Sequence, residues 1–217
     1  MEKMKKQLLL ISLFLTQIIF CQEYKFDKYY EYESKYGSNF FLVNSKDTTY
    51  SFAGWSNSYK EITGFILDLN KNLVHYYNVQ NKNNAIEFEY TYSKIHKNCN
   101  LSICEVNYNY YNIIKTRIDS TKSKINIDTF KNAKKKRMTS RIEIVVSEVD
   151  TLFLSKNMFC KFYKFGFGNK VDLSLTHLPV SIYRKVRGYS QIHISKLIKN
   201  KNINTILYLD EKAIKFN

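Results

Sequence analysis

Cys99 and Cys104 stand in the segment HKNCNLSIC, close enough to close a short ring, with His96 three residues before the first of them. In an oxidising compartment a disulfide between Cys99 and Cys104 would add roughly 2 kcal/mol by restricting the unfolded chain. His96, Cys99 and Cys104 could instead offer three metal ligands. That spacing matches no structural zinc pattern, and no fourth ligand lies nearby in sequence. The expectation is therefore a disulfide, with no metal and no cofactor. Cys160, between Phe159 and Phe162, reads as a buried thiol.

The histidines at 75, 96, 177 and 193 are scattered. A Ser–His or Cys–His pair draws its partners from distant parts of the chain, so local spacing assigns no catalytic residue. Glu87 and Glu89 lie two apart on one strand face, near the carboxylate separation of a glycosidase. Glycosidases take the two carboxylates from different elements, and a solvated strand face is charged as a rule. Lys134, Lys135, Lys136 and Arg137, followed by Arg141, are the densest charge in the chain and the candidate contact for an anionic surface. In KFYKFGFG, residues 161–168, basic and aromatic residues interleave, making Phe165 and Phe167 candidates for stacking on a ligand. Aromatics on both strand faces also describe a strand buried on both sides, and that is the expected reading.

The formal charge of +15 points toward polyanions, but its composition tempers the reading: of 34 cations, 29 are Lys and 5 Arg. Phosphate-gripping surfaces favour the bidentate fork of Arg. Lys, Asn, Ile, Tyr and Phe, all abundant here, are the residues of AT-rich codons. Nucleic acid is thus an unfavoured partner, and anionic envelope lipid or polymer a better one.

These groups must be positioned by the elements around them, and the first element is an export leader. Met1 to Lys6 carries three lysines, and Leu8 to Phe20 is an apolar run too short to span a membrane. Cleavage after Cys21 would leave Gln22 as the new N-terminus and 196 of the 217 residues. Lipidation of Cys21 is the alternative; it would anchor the chain to a membrane, although Phe20 occupies the place where the lipid signal wants a small residue. The remaining chain, 22–217, reads as one exported domain, periplasmic or secreted, with a weak candidate boundary near 119–140. It can bury roughly 70% of its unfolded surface. No later stretch approaches membrane-spanning length, so an integral membrane protein is not expected.

Period-two alternation dominates that domain. Ile62–Val79 reads as a hairpin turning on Leu69–Asn72, where Asn supplies the left-handed conformations that glycine usually provides. In IEFEYTY the pattern places Ile86, Phe88, Tyr90 and Tyr92 on one face. Residues 106–118 and 141–149 are further strands. Short helices are expected over 23–37, 128–138 and 178–188, the last with Pro179 at its first position. The fold class is mainly β: antiparallel sheet forming a sandwich, a curved sheet or a partly open barrel, with one to three short helices. The function expected is that of a non-catalytic binding or accessory module of the cell envelope. The alternatives are an envelope hydrolase whose site is not legible, and a binder of anionic polymer or lipid through the basic segment.

Overall fold

Alternating apolar and polar residues oblige the chain to bury one face of each strand. In a computed structural model they do so in a single antiparallel sheet. The structure describes residues 21–35, 37–56, 62–82, 85–96, 110–153, 176–186 and 192–210. Those residues form eleven strands and no helix. The first six are β1 (Cys21–Ser34), β2 (Gly37–Val43), β3 (Tyr50–Ser56), β4 (Ile62–Asp68), β5 (Leu73–Lys82) and β6 (Ala85–Ile95). The others are β7 (Tyr110–Arg117), β8 (Lys122–Phe130), β9 (Met138–Thr151), β10 (His177–Val186) and β11 (Ile192–Asp210).

Their order across the sheet is β6-β5-β4-β3-β2-β1-β11-β10-β9-β8-β7. Each half is a meander of sequence neighbours, and the first and last strands join the halves in the middle. All ten pairings are antiparallel. Ten reversals separate β6 from β7, so these two edge strands run in the same direction. They cannot meet as an antiparallel pair, and the sheet is not closed into a barrel.

The sheet nevertheless folds over on itself. Phe41, Ala53, Phe65 and Val74 of the first half share one buried cluster with Ile127, Ile142, Ile144 and Ile182 of the second. Strands β4 and β9 are six places apart, which in a flat sheet would separate them by about 29 Å. Only a strongly curled sheet brings their side chains together. The opposite face of β2–β5 carries a second cluster, with Phe40, Leu42, Phe52, Ile66, Tyr77 and Val79. It is covered by Tyr24 and Phe26 of β1 and by Leu207 and Leu209 of β11. The terminal halves of β1 and β11 therefore lie as a two-stranded ribbon across the back of the sheet. The bend falls where the β1–β11 register shifts between Phe26 and Lys28. Asp27 pins it there, accepting from the Ser45 amide (2.8 Å) and the Ser45 hydroxyl.

Two glycines make room for that back face. A methyl group on Gly54 would fall inside the Phe40 ring, and one on Gly64 would strike the Phe52 ring and lie 2.8 Å from the Ala53 carbonyl. Phe40 and Phe52 stack 5.7 Å apart, Tyr29 stacks on Phe40 at 5.9 Å, and Phe88 meets Phe52 edge-on at 5.1 Å. An aromatic stripe thus crosses the strands over a glycine track, burying large area with favourable ring geometry.

Several expectations are corrected. Residues 23–34 are β1 rather than a helix: Tyr24, Phe26, Tyr30 and Tyr32 alternate inward, and helical spacing of the aromatics was coincidental. Residues 128–130 finish β8, 131–137 are a turn, and Met138 begins β9, so no helix forms there. Residues 177–186 are β10, where Pro179 falls at an irregularity in the pairing with β9, the place a sheet tolerates a residue without an N–H. In β6 a register shift leaves Thr91 unpaired, and Tyr92 stacks on Tyr76 (4.7 Å) while Tyr90 meets Tyr77 on the other face. The four-residue stripe expected from alternation is broken by that bulge. The β4–β5 hairpin is as expected, with Ile62 opposite Val79 and Asn72 left-handed at φ 56°.

Candidate functional site

The basic run occupies the turn between β8 and β9. Lys131 N donates to Arg137 O (3.2 Å) and Lys135 N to Asn132 O (3.1 Å), closing a compact loop with Lys135 left-handed at φ 50°. Lys134, Lys135, Lys136 and Arg137 are all exposed, as strongly hydrated ends require. Lys135 is nonetheless committed: its ammonium donates to the Tyr111 carbonyl (3.1 Å) and to Asn112 Oδ1 on β7. Arg141 stands apart from the turn, on β9 opposite Asp128 of β8. Its guanidinium makes the bidentate fork, Nε to Oδ1 at 2.7 Å and Nη2 to Oδ2 at 2.8 Å. That hydrogen bond with Asp128, aided by its charge, raises the Arg141 pKa further above the usual value. The geometry divides the five candidates: Lys134, Lys136 and Arg137 face solvent, Lys135 caps β7, and Arg141 is spent on Asp128.

The turn abuts β7, one edge of the sheet, where apolar side chains stand in solvent. Tyr110 is 37% exposed, Ile113 40% and Ile114 53%. Farther along, Lys115 pairs with Glu148 at 2.9 Å. The Ser123 hydroxyl first, and then Lys115, hold the Glu148 carboxyl below the usual range. His177 Nε2 lies 3.7 Å from the same carboxylate, too far for a hydrogen bond.

The chemically capable groups in the interior are sealed. His75 Nδ1 shares a 2.6 Å hydrogen bond with Ser93 Oγ, which also meets the Tyr90 hydroxyl at 2.9 Å. Both His75 and Ser93 have no exposed surface. A nucleophile must reach its substrate, so this pair acts in packing rather than as a catalytic dyad. Asp68, also buried, accepts from the Tyr24 hydroxyl (2.9 Å), Gln22 Nε2 (2.6 Å) and the Lys71 amide (2.9 Å). It ties the terminal ribbon to the end of β4. Glu87 and Glu89 are exposed on the edge strand β6. Among the described residues, no group of three or more His, Cys, Asp or Glu is placed to hold a metal. No described helix is long and apolar enough to cross a membrane, a statement about helices alone. Residues 1–20 of the leader, the Cys99–Cys104 pair, Cys160, Phe165 and Phe167 lie outside the described residues.

Sequence reasoning missed Ser93, Asp68 and Tyr24 as partners, since each meets its neighbour across 18 to 46 residues of chain. It placed a strand at β7 without its edge position, for which local alternation carries no signal.

No protein-family model matches the chain. No curated protein matches it either. Among solved structures, it is similar to the hypothetical protein CT021 from Chlamydia trachomatis, with 9% identity over 82% of this chain and 88% of that one and a TM-score of 0.39. A likeness of that strength carries no argument about fold or function.

Proposed function

We propose that this chain is an exported, non-catalytic binding module of the cell envelope, and that its working surface is the basic end made by the β8–β9 turn and the neighbouring edge of β7. The observation that carries this reading is the exposed trio Lys134, Lys136 and Arg137 beside an exposed apolar edge. Other groups that could do chemistry are tied to a partner: Asp68 to Tyr24, His75 to Ser93, Arg141 to Asp128 and Glu148 to Lys115. A concentrated positive field next to apolar surface attracts an anionic partner and then rewards close contact. The charge-then-apolar leader supports export.

The test has two arms. Mass spectrometry of protein expressed with its leader should find Gln22 at the N-terminus; an intact Met1 defeats export, and an acylated Cys21 converts the reading to a lipid-anchored one. The exported chain should be retained on immobilised polyglutamate or on phosphatidylglycerol vesicles in low salt. Lys134→Ser/Lys136→Ser/Arg137→Ser should remove that retention with an unchanged melting temperature. Failure of the parent to bind either probe defeats the binding reading.

A further inference from the structure

We infer that, once the leader is removed, the docked terminal ribbon keeps Gln22 as an open-chain glutamine and bars its cyclisation to pyroglutamate. This rests on the export reading above and deepens it: the cut comes before the ribbon closes, and closure then protects the new terminus.

The order follows from the strand pairing. Residues 28–34 of β1 pair with β2 as well as with β11. Among the described residues, Cys21–Phe26 pair with β11 alone, from Cys21 opposite Asp210 to Phe26 opposite Thr205. That partner lies near the other end of the chain and is made last. Proteolysis needs backbone that is locally open. The docked ribbon denies it, since Tyr24, two residues beyond the cut, is 1% exposed and Phe26 is 2% exposed. The leader is therefore cut while residues 21–26 still lack their partner.

A terminal glutamine cyclises when its α-amine attacks its own side-chain Cδ. The new Cδ–N bond forms as the Cδ–Nε2 bond breaks, and Nε2 leaves as ammonia with the proton that the amine sheds. The small ring requires the side chain to fold back onto the amine, so its amide must first leave its partners. In the ribbon both ends of the Gln22 amide are held. Nε2 donates to Asp68 Oδ2 (2.6 Å) and meets the Tyr24 hydroxyl, and Oε1 accepts from Lys71 Nζ (2.9 Å). Cyclisation would also take the Nε2 donor away from a buried carboxylate, which is costly. The reaction is thus confined to molecules whose ribbon has opened, and its rate follows the open fraction.

The experiment uses the exported chain, with the synthetic peptide Gln-Glu-Tyr-Lys-Phe of residues 22–26 as an unfolded reference. Mass spectrometry of the native chain should find Gln22 with its ammonia retained. Glutaminyl cyclase should act on the folded chain at least about tenfold more slowly than on the peptide. Asp68→Ala should speed the reaction of the chain about tenfold, because it frees Nε2 and loosens the ribbon. Lys71→Met, on the exposed turn after β4, should speed it too. That variant keeps Asp68 and Tyr24 paired, so the test stands even if Asp68→Ala does not fold. Equal rates for chain and peptide overturn the inference, as does a native chain recovered as pyroglutamate; export stands in both cases. Rates unchanged in both variants overturn it as well. A chain recovered with acylated Cys21 has no Gln22 terminus and defeats the inference, with a lipid anchor in place of cleavage. An intact Met1 defeats the inference and export together.

Discussion

Replacing Asp68 by Ala tests whether the terminal ribbon is held down by a buried carboxylate. Asp68 is 4% exposed and Tyr24 1%, and the carboxylate gathers donors from Gln22, Tyr24 and Lys71. A hydrogen bond to a charged group contributes about 1.5–3 kcal/mol, and donors nearer solvent recover part of theirs from water. The expected cost of Asp68→Ala is about 3 kcal/mol, taking the buried Tyr24 contact in full and the other two at a fraction. In a chain of this length that lowers the melting temperature by about 6–12 °C. Urea unfolding should show a reduced midpoint with an unchanged slope. The contact itself is isolated by a cycle with Tyr24→Phe, where a coupling of at least about 1 kcal/mol is expected because the two groups touch. Native-state hydrogen exchange adds the location. Amides of residues 22–26 and 205–209 should lose protection in Asp68→Ala ahead of those in β2–β5. A cost under about 1 kcal/mol, additivity with Tyr24→Phe, or a uniform loss of protection would refute the idea that Asp68 clamps the ribbon.

Other perturbations test other parts of the fold. Gly54→Ala and Gly64→Ala should each cost about 1–3 kcal/mol by overpacking, and Phe40→Leu combined with Gly54→Ala should recover part of the loss, as read by chemical denaturation. Burial pushes the Tyr30 phenol up to about 12 and pushes Tyr29 and Tyr77 higher still. A raised folded pKa gives stability that is complete below the unfolded value near 10 and lost as pH rises, at about 1.4 kcal/mol per pH unit for each tyrosine. Alkaline melts should therefore weaken from about pH 10 upward, with tyrosinate absorbance of these residues appearing together with unfolding. For Asp27, burial raises the pKa, but the hydrogen bonds from the Ser45 hydroxyl and amide lower it by more, so the net shift is downward. Its contribution is present above the ordinary aspartate range and lost as pH falls through the folded value. Asp27→Asn should flatten the acid limb of the stability profile and leave the alkaline limb unchanged.

Much of the β class was legible because a strand's period of two is local. The β4–β5 hairpin needed only apolar runs on either side of a turn and an Asn able to turn left-handed, and both lie within eighteen residues. The helices expected over 23–37 and 178–188 failed for a related reason. Aromatics so dense satisfy a 3.6-residue period and a two-residue period at once, and neither window contains the neighbour that decides. Tyr24 and Tyr30 became strand residues because β11, at the far end of the chain, offered them a partner. Pro179 was tolerated in β10 because the pairing with β9 shifts there.

The candidate site divides in the same way. From the sequence, the run Lys134–Arg137 had to be exposed wherever the backbone went, since burying four hydrated cations without partners costs far more than any local preference can offset. Whether a given cation is committed was a tertiary matter: the β8–β9 register put Asp128 opposite Arg141, and the turn conformation carried Lys135 to β7. So was the fate of His75, sealed against Ser93 by the pairing of β5 with β6. The edge position of β7 depended on the whole topology. Composition and alternation determine that a segment will be a strand and which of its faces is apolar. Which strands pair across the middle of the sheet is decided by contacts between residues more than a hundred positions apart, as in the pairing of β1 with β11.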